Sequence, residues 1–123
     1  MSSLRLTSKD PLFIIMNCTS EYSRISQCFD QSFSLMDISD KLFKKYQQQE
    51  SERHNCATIK AVVLEISQLL SEIQVFDVYE SLNYRRLYLK SKDSVEDLDE
   101  LKQIELICEH LQEIYPELAE FSR

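Results

Sequence analysis

Glycine is absent from this chain of 123 residues, and proline occurs only twice, at Pro11 and Pro116 near the two ends. Glycine supplies positive φ in tight turns and lets a backbone approach a phosphate closely. Its absence excludes a P-loop, a dinucleotide fingerprint and a G-x-S-x-G nucleophile elbow. A sheet-rich domain without it is hard to turn. A helical domain with few connections escapes that constraint, although its helix ends must use Asn or fray in place of a glycine cap.

Long apolar runs are missing too. The run Leu12 to Met16 is too short for a signal-peptide core and has no small-residue cleavage site after it. Nothing approaches the roughly 20 apolar residues of a transmembrane span. An intracellular protein, cytoplasmic or nuclear, is therefore expected. Asn17-Cys18-Thr19 has the form of a glycosylation acceptor, and without secretion it is a chance match. The four cysteines at positions 18, 28, 56 and 108 form no clustered framework. They fall at apolar or near-apolar helical positions and read as small buried hydrophobes in a reducing compartment.

Catalytic groups are equally scarce. There are two histidines, and no close carboxylate pair outside one acidic helix face. His54-x-Cys56 and Cys108-x-His110 contain four zinc-ligand types, but residues two apart on a helix point about 200° from one another. His54 on a helical scaffold suggests phosphotransfer, but the small, glycine-bearing stretch such a histidine needs is replaced by Asn-Cys-Ala-Thr-Ile-Lys. A non-enzymatic protein with no cofactor and no metal is expected.

What is present is helical periodicity. The expected fold is all-α: two or three long amphipathic helices in an antiparallel bundle or coiled-coil-like arrangement. Residues 1–9 read as a flexible leader and residues 10–123 as one helical domain. Asp10-Pro11 reads as an N-cap followed by proline at the first helical position. From there to about residue 49, Ile15, Cys18, Tyr22, Ile25, Phe29, Met36, Phe43 and Tyr46 follow spacings of three and four, a heptad seam, with Phe33, Leu35 and Leu42 beside it. Unbroken, this helix is roughly 58 Å long; a break is most expected at Asp37 to Asp40, where Ser and Asp compete for backbone hydrogen bonds.

Gln47 to His54 is the polar connection, with Ser51 or Asn55 as the next cap. A second helix is expected over about 55–91. Ile59, Val62, Val63, Ile66, Leu69, Leu70, Ile73 and Phe76 form its wide apolar face, while Val75, Val78, Tyr79 and Leu82 turn onto another side. Ser94-Val-Glu-Asp97 starts a third helix over about 94–115, with Leu98, Leu101, Ile104, Cys108, Leu111 and Tyr115 as its stripe. Pro116 ends it, and a short turn over 116–122 follows.

The net charge of −7 is unevenly placed. Residues 1–93 carry 12 acidic and 12 basic side chains, whereas residues 94–123 carry nine and two. Beside that acidic helix lies the basic, aromatic stretch Tyr84, Arg85, Arg86, Tyr88, Lys90, Lys92. Three outcomes are open: the acidic helix folds back on this cluster, it is merely solvated, or the polarity steers a partner.

The apolar surface exceeds what three helices can cover, and uncovered apolar surface marks an interface. The leading expectation is a protein–protein interaction subunit or adaptor that assembles through helix packing, as a homo- or hetero-oligomer. The interface residues would be Tyr22, Ile25, Phe29, Phe33, Met36 and Phe43 with Ile66, Leu69, Ile73 and Phe76. The competing expectation is a self-contained regulatory domain that binds RNA, an anionic surface or a peptide through Tyr84 to Lys92. The acidic chain disfavours nucleic acid.

Overall fold

The computed structural model describes residues 11–50 and 58–120. The expected leader, Asp10, the caps Ser51 and Asn55, His54 and Cys56 lie outside the described residues, as does the side chain of Tyr46. Among the described residues the chain is all-helical, with no strand. It has more and shorter helices than the periodicity implies: α1 (Pro11–Ile25), α2 (Phe29–Glu50), α3 (Ile59–Leu69), α4 (Glu72–Lys92) and α5 (Leu98–Ile114). Short 3₁₀ turns occupy Val95–Asp97 and Pro116–Glu120.

The expected first helix is two helices, and the break is not at Asp37 to Asp40. It falls at Ser26-Gln27-Cys28. There the Ser26 hydroxyl accepts from the Cys28 N–H at 3.3 Å and donates to Gln31 Oε1 at 2.7 Å, so a side chain takes over a bond the helix would have made. The Ser32 N–H then reaches the Cys28 carbonyl at 2.9 Å, and Asp30 in the first turn suits the helix N-terminus. Asp37 and Asp40 instead pair with Lys41 at 3.2 Å and Lys44 at 3.1 Å, one turn along a continuous helix.

The expected second helix is also divided. Leu70 turns extended (ψ 155), and Ser71 caps α4. Its hydroxyl accepts from the Gln74 N–H at 3.2 Å, while Gln74 Oε1 accepts from the Ser71 N–H at 3.3 Å, a complete capping box. Asn83 to Lys92 is helix, the end of α4. With no glycine to close it, α4 ends on Asp93 in the left-handed region, φ 51. The third helix begins through Ser94, whose hydroxyl accepts from the Glu96 N–H, and stops at Pro116.

Each break resets the helical phase, and this decides which residues are inside. The core draws Leu12, Ile15 and Cys18 from α1 and Leu35, Ile38 and Leu42 from α2. From α4 it takes Val75, Val78, Tyr79, Leu82 and Leu89, and from α5 Ile104, Ile107, Cys108 and Leu111. Val62, Val63 and Ile66 add the buried side of α3, and Leu118 folds back from the last turn. Burial of such an aliphatic side chain contributes about 1.5–3 kcal/mol before entropy is counted.

Side-chain pairs give the register. Ser23 with Ser32, and Thr19 with Ser39, join α1 and α2 as an antiparallel hairpin. Gln31 with Glu80, and Lys41 with Gln74, run α2 antiparallel to α4. Tyr79 with Gln112, and Lys92 with Asp97, do the same for α4 and α5. The helix α3 packs on α5.

Candidate functional site

The phase reset after Cys28 leaves α2 with two apolar faces. Leu35, Ile38 and Leu42 fill the core, while Phe29 (79% exposed), Phe33 (62%), Met36 (56%) and Phe43 (47%) face solvent. The exposed set lies at i, i+4, i+7 and i+14, a stripe that a straight helix presents on one side. Phe29 and Phe33 stack with their ring centroids 5.6 Å apart and 13° between planes. Taking about 200 Å² for a whole aromatic side chain, the four leave on the order of 400–500 Å² of apolar surface in water. Monomers seldom expose more than roughly 300–600 Å² in one patch, and patches of that size are often functional.

Polar bonds on the opposite flank fix how far α2 is rotated. Gln31 Nε2 donates to Glu80 at 2.9 Å, and Ser34 Oγ to Asp77 at 2.6 Å. Gln74 Nε2 donates to Asp37 at 2.7 Å, and Lys41 Nζ to Gln74 Oε1 at 3.1 Å. The amide and the ammonium beside it hold the Asp37 carboxyl below the usual carboxylate range. With this ladder on one side and the core on another, α2 cannot roll its phenylalanines inward without breaking both. Sequence reasoning missed the ladder, because its members are ordinary polar residues whose partners are about 40 positions away.

The other interface residues expected from periodicity do not join this stripe. Ile66 is 1% exposed and belongs to the core of this chain. Leu69 and Ile73 are exposed on either side of the Leu70-Ser71 break, and Ile25 is exposed at the end of α1. Phe76 is half-buried, edge-on to Tyr115 at 6.5 Å. Tyr22 is half-buried, its hydroxyl donating to Glu80 at 2.7 Å and its ring 5.3 Å from that of Tyr84. Burial and the Glu80 carboxylate push that phenol up to about 12.

The basic stretch is largely occupied inside the molecule. Arg85 Nε and Nη2 meet Glu100 at 3.0 and 3.4 Å, and Glu21 stands 3.7 Å away, which raises the guanidinium pKa further. Lys90 lies 3.8 Å from Glu105, and Lys92 3.2 Å from Asp97. Arg86 makes no ion pair among the described residues and holds Asn83 Oδ1 at 3.0 and 2.7 Å. The Tyr88 ring receives Arg85 at 5.3 Å and Lys92 at 5.5 Å. The acidic third helix therefore folds back on the basic end of α4.

Among the described residues, chemistry-bearing groups are either buried or scattered. Burial pushes the Cys18 and Cys108 thiols up to about 12, far from a reactive thiolate. Cys108 lies in the core, while His110 sits at the surface beside Glu113 at 3.3 Å, so the two do not converge. An open cleft of about 430 Å³ between α4 and α5 is lined by Tyr79, Arg86, Glu105, Cys108, Glu109 and Gln112. Among the described residues no helix is long and apolar enough to cross a membrane.

Comparison with protein families, with curated proteins and with solved structures gives no match.

Proposed function

We propose that this chain is a non-enzymatic interaction subunit or adaptor, assembling with other protein by helix packing through α2. The observation that carries the reading is the second apolar face of α2, Phe29, Phe33, Met36 and Phe43, held outward while a separate set fills the core. Leaving such a surface in water costs solubility. Its heptad-like spacing suits a helix lying alongside in a coiled-coil-like pairing. Of the cysteines expected to be buried, Cys18 and Cys108 are, whereas Cys28 is exposed because it lies in the break between α1 and α2; all three are free, which fits a reducing intracellular compartment.

The alternative, binding of RNA, an anionic surface or a peptide through Tyr84 to Lys92, has weaker support, because Arg85, Lys90 and Lys92 are engaged by Glu100, Glu105 and Asp97. An anion must displace these carboxylates first.

The test is affinity purification of the chain from its native cell, beside a Phe33→Glu/Met36→Glu variant, with mass spectrometry of what co-purifies. Stoichiometric partners lost with the variant are the expected result. A partner set that the variant retains, or no stoichiometric partner at all, removes the basis of the reading.

A further inference from the structure

We draw no further inference here: the strongest candidate, the exposed apolar face of α2 formed by Phe29, Phe33, Met36 and Phe43, belongs to the site already described, and with Asp37 and Asp40 paired to Lys41 and Lys44 on the same helix nothing in the structure shows what covers it.

Discussion

Two alanine substitutions two residues apart on α2 test its rotation. Ile38 is 0% exposed and packs in the core, whereas Met36 is 56% exposed. Removing three buried carbons at Ile38 loses their transfer free energy and leaves a cavity, together about 3 kcal/mol within a usual range of 2–5. Met36→Ala removes side chain that is mostly in water, and alanine suits a helix at least as well, so its effect stays within about 0.5 kcal/mol. Urea unfolding followed at 222 nm reads both. With m of about 1.5–2 kcal/mol/M, Ile38→Ala lowers the midpoint by about 1.5–2 M, and Met36→Ala barely moves it. Runs at two protein concentrations separate folding from assembly. An unbroken first helix buried along its heptad seam gives the reverse order. A loss above about 1.5 kcal/mol for Met36→Ala, or below about 1 kcal/mol for Ile38→Ala, refutes the orientation.

Four further outcomes are expected. Asp93→Gly relieves a non-glycine residue at φ 51 and should raise stability by about 0.5–1 kcal/mol in the same urea assay. Ser71→Ala removes the cap of α4 and should cost about 1 kcal/mol, with Ser71→Gly costing less. Ellman's reagent at pH 8 should label Cys28 rapidly in the native protein and reach Cys18 and Cys108 only on unfolding, because burial holds those two thiols protonated; fast native labelling at Cys18 contradicts this. Alkali should destabilise the fold. The folded values near 12 for Cys18, Cys108 and Tyr22 exceed the ordinary 9.0 and 10.0, so the unfolded chain releases these protons first. Stability is then full below about pH 9 and declines towards pH 12. A flat thermal-melt profile from pH 8.5 to 11 contradicts it.

Periodicity revealed the helical class but misplaced the faces, and one physical cause accounts for both long helices. A heptad count carries its phase through any residue that does not visibly stop a helix. Serine stops one only when its hydroxyl captures a neighbouring backbone group, as Ser26 does at Cys28. Beyond that point the seam no longer faces the core, so Phe29, Met36 and Phe43 turn to water while Leu35 and Leu42 turn in. After Ser71 the same thing happens: Ile73 faces out, and Val75, Val78, Tyr79 and Leu82 become the inner side of α4. That second break had a readable sign in Ser71-Glu-Ile-Gln74, a capping box inside an apolar run. The third helix has no internal break, and Ile104, Cys108 and Leu111 lie where their spacing puts them.

The same phase argument gives the exposed face its weight. If a core were short of apolar residues, a solvent-facing phenylalanine would be a residue the fold had failed to bury. Here α2 fills its share of the core with Leu35, Ile38 and Leu42, each 0% exposed, and still carries three aromatics and a methionine on another side. Rotating the helix to bury those would expose the aliphatic set and break the bonds from Ser34, Asp37 and Lys41 to α4. No single rotation of α2 within this chain satisfies both faces. Among the described residues the second face stays largely in water, and that is the observation on which the proposed interaction rests.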